Sequence, residues 1–291
     1  MSKKNAKTSR RFYPLALTVA GSDSGGGAGI EADLRTFSAF GVYGCCVITA
    51  VTSQNPRRVT RIDKMSPESV RAQIDAVMAC FEPPYMKTGM LGGADIMAVV
   101  AEAAARYRIR LICDPVMVAT SGSSLAGEDS ARAMRELLLP AADWITPNIP
   151  EAESLLADGT RISCENDLFR AAEELHRRFG VSVLLKGGHA GFSEAVDAVC
   201  REGKLYRLTS PRADVPPLTS HGTGCTLSAA LTAGFTLGAP WKQVLCQAKA
   251  FVLGSLAQSV ELAPGLFAMY PPTEECFDQV RLEEIGGGAG K

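Results

Sequence analysis

The sequence predicts an α/β protein, a three-layer α/β/α sandwich with a mainly parallel central sheet. Two observations carry this. Short apolar runs alternate with segments of helical spacing almost from end to end, which is the signature of repeated β-α pairs whose strands are covered by helices on both faces. The polar and glycine-rich clusters, moreover, follow the strands: 21–29, 52–55, 114–121, 148–151, 186–189 and 220–226. Ligands of such sheets gather at the carboxyl ends of the strands, so these clusters outline one site.

In chain order, 15–20 is an apolar run bounded by Gly21, and 29–40 carries Ile30, Leu34, Phe37 and Phe40 at helical spacing. A second β-rich run occupies 45–51. The stretch 67–81 is a helix with Ser66 as cap, Pro67 in its first position and Glu68 in its first turn. Then follow a strand (85–90), an alanine-rich helix (95–107), a strand (109–113) ending at Asp114-Pro115, and a helix (130–139). A strand at 144–146 ends at Pro147-Asn148. An amphipathic helix (166–179) precedes a strand (181–185) that ends at Lys186-Gly187-Gly188-His189. A hairpin, 195–201 with 204–209, turns at Glu202-Gly203, and two helices close the fold at about 224–238 and 241–260. No linker divides the chain, so a flexible tail (1–14), one domain (15–270) and a carboxyl tail (271–291) with a disordered glycine-rich end are expected.

The 291 residues are 46% hydrophobic and 21% charged with a net charge of −1, which suits a water-soluble globular protein and gives no general attraction to nucleic acid or an anionic membrane. Nine scattered cysteines, never spaced C-x-x-C, read as reduced thiols of a cytoplasmic protein, not a disulfide or zinc framework. The three histidines offer no metal-ligand spacing. The basic start followed by 15–20 is too short and too soon broken for a signal peptide, and no run approaches the ~18 apolar residues of a membrane span.

Ser220-His221-Gly222-Thr223-Gly224-Cys225-Thr226 is a glycine turn opening a helix of small residues. Free N–H groups and a positive helix end there suit a phosphate. Cys225 in the first turn is expected to have a lowered pKa and to act as base or nucleophile; the plain alternative is a buried small cysteine. The first loop, 21–29, includes Gly27-Ala28-Gly29-Ile30-Glu31-Ala32, a loose dinucleotide pattern, but Thr52-Ser53-Gln54-Asn55 stands where its acidic partner belongs. No G-x-x-x-x-G-K-[ST] loop occurs. Asp114 and the pair Asn148 and Glu151 supply oxygen ligands suited to Mg²⁺, or else Asn148 and Glu151 simply cap a helix. Lys186 places an ammonium on a polyphosphate or is a solvated strand end.

Together these stretches resemble the hydroxymethylpyrimidine/phosphomethylpyrimidine kinases of thiamin biosynthesis, members of the ribokinase-like superfamily. The likeness rests on Ala20 through Leu34, Tyr43-Gly44 through Gln54-Asn55, Lys87-Thr-Gly-Met-Leu91, Asp114-Pro-Val-Met-Val-Ala119, Thr146-Pro-Asn-Ile-Pro-Glu-Ala-Glu153, Lys186-Gly-Gly-His189 and His221-Gly-Thr-Gly-Cys-Thr-Leu-Ser228. It covers about 15–260, and the last stretch is specific, since most sugar kinases of the superfamily carry Asp at the position of Cys225.

The resemblance implies a ribokinase-like fold and ATP-dependent phosphorylation of 4-amino-5-hydroxymethyl-2-methylpyrimidine to its monophosphate and then its diphosphate. Cys225 falls on the catalytic-base position, with Gly222, Thr223 and Gly224 as the anion hole. Gln54 falls on the residue that pairs with the aminopyrimidine edge, for which an amide offers both a donor and an acceptor. Asp23 maps near the substrate, Met90 and Val118 onto apolar walls, and Lys186, Asn148 and Thr223 onto ATP contacts. Asp114 and Glu151 map onto the Mg²⁺ region. Mg²⁺, ATP, a cytoplasmic location and a homodimer are the family expectation, without nucleic acid or membrane as partner. Thr88, Thr120, Pro56 and Thr219-Ser220 depart from the usual residues. These departures bear on loop closure and substrate preference, not on the reaction class. A pyridoxal/pyridoxine kinase is the neighbouring alternative, because that ring also carries a hydroxymethyl group. A non-catalytic pyrimidine-binding regulator is the alternative outside enzymes.

Overall fold

In the computed structural model, which describes residues 12–117, 128–188, 193–274 and 276–286, the chain runs β1 (Leu15–Asp23), α1 (Gly29–Ala39), β2 (Tyr43–Asn55), β3 (Arg58–Lys64), α2 (Pro67–Met78), β4 (Tyr85–Thr88), α3 (Ala94–Tyr107) and β5 (Arg110–Cys113). It continues through α4 (Glu128–Ala133), β6 (Trp144–Ile145), α5 (Ile149–Leu156), α6 (Glu165–Phe179), β7 (Ser182–Lys186), β8 (Ala195–Arg201) and β9 (Lys204–Ser210). The last elements are α7 (Thr223–Thr236), α8 (Trp241–Ala257), a small antiparallel pair β10 (Val260–Ala263) and β11 (Leu266–Ala268), and β12 (Arg281–Ile285).

Strand β1 is buried along nearly its whole length, as an apolar run must be when both faces of a sheet are covered. It pairs in parallel with β2 and β4, and the parallel set extends through β5, β6 and β7. Antiparallel strands finish the edges, β3 beyond β2 and β8, β9, β12 beyond β7. Successive residues point to opposite layers. Leu111 and Cys113 join a core with α2, α3 and α6 residues such as Ile74, Val100 and Leu168. Ile112 between them faces a second core with Leu227 and Leu231 of α7 and Val244 of α8. The period-2 pattern of the strands is thus what makes three layers.

Several boundaries differ from expectation. Residues 52–55 are not a loop: β2 runs on to Asn55 and turns back at Pro56-Arg57 into β3, whose charged outer surface masked it as a strand. Asn55 Oδ1 fixes the turn by accepting from the N–H groups of Arg57 (2.9 Å) and Arg58 (3.1 Å). The expected helix 130–139 is α4 followed by a π-helical turn, Met134–Leu138, and a 3-10 turn, Leu139–Ala141, where Pro140 removes a donor. Part of the expected carboxyl tail is structure, since β12 pairs with β9. Val118, Thr120 and His189 lie outside the described residues.

Candidate active site

The glycine loop after β1 is organised by Asp23. Its carboxylate accepts from the N–H groups of Gly25 (2.8 Å), Gly27 (3.1 Å) and Ala28 (2.9 Å), and His221 Nε2 stands 3.0 Å away. Burial works against the charged form, but the hydrogen bonds from His221, Gly25 and Ala28 outweigh it and hold the carboxyl below its ordinary value. Asp23 therefore ties the loop to the 220–224 turn, and its oxygens are occupied in doing so. The fit is tight: a Cβ at Gly222, whose φ is +87°, would overlap the carbonyl oxygen of Gly27, and one at Gly27 would come within 2.7 Å of His221 Cδ2. Met90 lies over the backbone of Gly21, where any side chain would overlap its methyl group.

Gln54 sits on β2, not in a loop, and its backbone is stitched to the glycine loop. Its N–H donates to Ser24 Oγ and its carbonyl accepts from the same hydroxyl, both at 2.8 Å. The side chain reaches His221, with Nε2 to Nε2 at 3.2 Å.

The second half of the site gathers around Asp114 at the end of β5. Its Oδ1 receives Lys186 Nζ at 3.0 Å and Thr146 Oγ1 at 3.1 Å, while Ser228 Oγ of α7 stands 3.4 Å from Oδ2. Glu151 Oε2 lies 4.0 Å from the same ammonium. Burial pushes the Glu151 carboxyl up, and the Asp114 charge adds to this while Lys186 opposes it. Two buried carboxylates share one lysine. The helix cap also exists: Asn148 Oδ1 accepts from Glu151 N–H (2.9 Å) and Glu151 Oε2 from Asn148 N–H (2.8 Å), a capping box at α5. Asn148 and Glu151 thus cap the helix, and the capped Glu151 still faces Lys186.

The halves meet at the start of α7. A Cβ at Gly224 would lie 3.2 Å from Lys186 Nζ, so the glycine lets the ammonium rest on the helix terminus. Thr223 Oγ1 donates to Ser220 O at 3.0 Å and closes the turn. Cys225, one residue on, does not have the lowered pKa expected of a first-turn thiol. Burial pushes it up to about 11, the charge of Lys87 and the Gly29 N–H oppose this, and Asp33 and Asp114 reinforce it. Desolvation and two nearby carboxylates outweigh the helix end, so the resting group is a thiol.

Below this turn lies an ion pair that the sequence reading passed over. Lys87 Nζ contacts both oxygens of Asp33, at 2.7 and 2.8 Å, and Thr18 Oγ1 donates to Asp33 Oδ2 at 2.6 Å. Both charged residues are fully buried. The signal was present: a lysine inside the apolar strand Tyr85-Met86-Lys87-Thr88, and an aspartate on the buried face of α1 between Ile30 and Phe37.

Asp114 and Glu151 also bear on Mg²⁺. Among the described residues no group of three or more His, Cys, Asp or Glu stands ready to enclose an ion. In phosphoryl-transfer sites Mg²⁺ takes one or two carboxylates and completes its shell with water and phosphate oxygens. Two buried carboxylates short of positive charge fit an ion that arrives with a nucleotide.

Comparison with known proteins shows the family of the chain. The family model for phosphomethylpyrimidine kinase matches residues 23–269. A hydroxymethylpyrimidine/phosphomethylpyrimidine kinase of Rhizobium meliloti is 43% identical over 251 residues, 86% of this chain and 93% of the relative. Its counterpart in Escherichia coli is 42% identical over 252 residues, again 86% and 93%. Among solved structures, a pyridoxal kinase of Bacillus subtilis in an ADP complex is similar with a TM-score of 0.82 at 33% identity, covering 89% of this chain and 98% of that one. A phosphomethylpyrimidine kinase of Clostridium difficile gives 0.71 at 36% identity, covering 82% and 97%. The chain belongs to the phosphomethylpyrimidine kinase family.

Proposed function

We propose that the protein transfers the γ-phosphoryl group of ATP to the hydroxymethyl group of 4-amino-5-hydroxymethyl-2-methylpyrimidine, and then a second phosphoryl group to the monophosphate, in thiamin biosynthesis. The observation that carries this is the convergence at the start of α7. Lys186 and Asp114 lie against Gly224, and His221, earlier in the same turn, meets Gln54 and Asp23. Phosphoryl transfer needs this kind of placement more than covalent chemistry.

Lys186 and the first-turn amides of α7 hold the transferring group, while Gln54 and Met90 hold the ring. Asp114 and Glu151 would hold Mg²⁺, which when bound neutralises charge on the phosphate oxygens. Cys225 can receive the hydroxyl proton in the first transfer only as the thiolate, so its own proton must first pass to solvent, and the first transfer should speed up with rising pH as the thiolate fraction grows. The second transfer starts from a phosphate oxygen already ionised at neutral pH, its second pKa being about 6, and needs no base. Cys225→Ala should therefore slow the first transfer by ~10²-fold or more and the second far less. Equal losses in both would assign Cys225 to shape alone. Cysteine usage supports a cytoplasmic location, and the family resemblance supports a homodimer.

The pyridoxal kinase reading draws on structural likeness, since Staphylococcus aureus pyridoxal kinase in complex with ADP reaches a TM-score of 0.84, but at 27% identity. The deciding experiment offers the protein Mg-ATP with the hydroxymethylpyrimidine or with pyridoxal and follows products by mass. Pyrimidine mono- and diphosphate are expected. Pyridoxal phosphate alone would move the protein to the other branch, and no product from either would make it a binding protein.

A further inference from the structure

His221 Nε2 faces two groups at once, Asp23 Oδ2 at 3.0 Å and the Gln54 amide nitrogen at 3.2 Å. A ring nitrogen carries one hydrogen or one lone pair, not both. Asp23 is a carboxylate that also accepts from three backbone amides, so it requires the hydrogen to be on Nε2. The –NH2 end of Gln54 would then oppose a donor with a donor. The other end of the amide gives a second, independent count. Thr52 Oγ1 stands 2.8 Å from the Ser22 carbonyl oxygen and 3.3 Å from Gln54 Oε1, and its single hydrogen goes to Ser22. An amide oxygen placed there meets only a lone pair.

Both conflicts vanish when the amide is turned end for end, a change that leaves its shape the same. Gln54 Oε1 then shares the Nε2 hydrogen of His221 with Asp23 Oδ2 in a three-centre bond, where no donor opposes another, and one Gln54 N–H donates to Thr52 Oγ1. The second N–H is left for a ligand. We propose that His221 is a positioning residue that holds the Gln54 amide by its oxygen, so that Gln54 meets the substrate as a hydrogen-bond donor. The group read there is an acceptor, an unprotonated ring nitrogen, and not the exocyclic amine. The ring of His221 is itself fixed by Gly27, against whose Cα face it packs with no room for a Cβ. The 220–224 turn that leads into Cys225 thereby sets the orientation of the ring-binding amide on β2.

This inference rests on Gln54 contacting the substrate, and the experiment separates the two. Steady-state kinetics are measured with hydroxymethylpyrimidine and with Mg-ATP for Gln54→Ala, Gln54→Glu and His221→Phe, alongside thermal unfolding. Gln54→Ala should raise the pyrimidine KM about tenfold, the weight of one ordinary hydrogen bond. Gln54→Glu keeps an oxygen for His221 but has no N–H, and should raise it at least as much. His221→Phe keeps a ring over Gly27 but frees the amide; it should raise the pyrimidine KM several-fold and leave the ATP KM unchanged, a split that general loosening of the fold would not give. If Gln54→Ala is silent, the substrate assignment falls and this inference with it. If Gln54→Ala acts but Gln54→Glu binds pyrimidine as well as the parent or better, or if His221→Phe shifts both KM values alike, the assignment stands and the role of His221 is wrong.

Discussion

Two lysines lie near Cys225, and they are used in opposite ways. Lys87, on β4, is fully buried and held by both oxygens of Asp33 at 2.7 and 2.8 Å. Lys186, at the end of β7, keeps 16% of its side chain exposed, touches one oxygen of Asp114 at 3.0 Å and is 4.0 Å from Glu151. The first cation is saturated: its charge is met by one partner and shielded from anything that enters. The second is shared between two carboxylates and lies against Gly224, where a Cβ would stand 3.2 Å from its Nζ. A buried lysine with full pairing builds the floor, and a partly exposed one with incomplete pairing is free to meet a phosphate.

Lys87→Met breaks the comparison most severely. It strands the Asp33 carboxylate in a dry interior, and removal of one member of such a pair costs about 3–5 kcal/mol. Denaturant unfolding should show this loss, and Lys87→Met combined with Asp33→Leu should recover a good part of it, because a neutral pair has no unpaired charge. A single variant as stable as the parent would mean that water already reaches the pair.

Lys186→Met also leaves buried carboxylates, Asp114 and Glu151, without their cation and should lower the unfolding midpoint. Unlike Lys87→Met, it should in addition lower kcat/KM for ATP ~10²–10³-fold in the protein that remains folded, the size seen when one stabilising donor is taken from a developing oxyanion. A loss of stability without a loss of ATP-dependent rate would make Lys186 a second structural lysine.

The same contrast explains what the sequence could reveal. Lys186-Gly187-Gly188 reads as a site because it breaks an apolar strand with the residues a phosphate needs. The alternation of β-α pairs was equally plain, since each strand must bury both faces. Lys87 was hidden for a physical reason: its partner Asp33 is 54 residues away, and only the pairing of β1 with β4 under α1 brings them together. β3 and β12 were hidden because edge strands carry charges that mimic loops. The Cys225 thiol was misjudged because local sequence shows a helix terminus but not the desolvation around it.

That thiol gives the smallest and sharpest test. Cys225 lies in the field of Lys87, yet Asp33 largely cancels that field, and the positive charge of Lys186 is likewise met by Asp114. Neither cation is left to stabilise a thiolate, burial prevails, and the group is pushed up to about 11. Below that value the thiolate fraction grows tenfold per pH unit, and alkylation follows the thiolate. Iodoacetamide labelling of Cys225, followed by peptide mass mapping with exposed Cys80 and Cys164 as references for the reagent, should therefore keep rising from pH 7 to pH 10 without levelling. The linkage has the matching sign. A thiol whose folded pKa lies above its unfolded value of about 8.5 stabilises the fold below that value, and the contribution is lost as pH rises through about 11. Labelling that levels off near pH 7 would show an uncompensated positive charge at the sulfur, and would mean that one of the two lysines is not as well paired as its distances indicate.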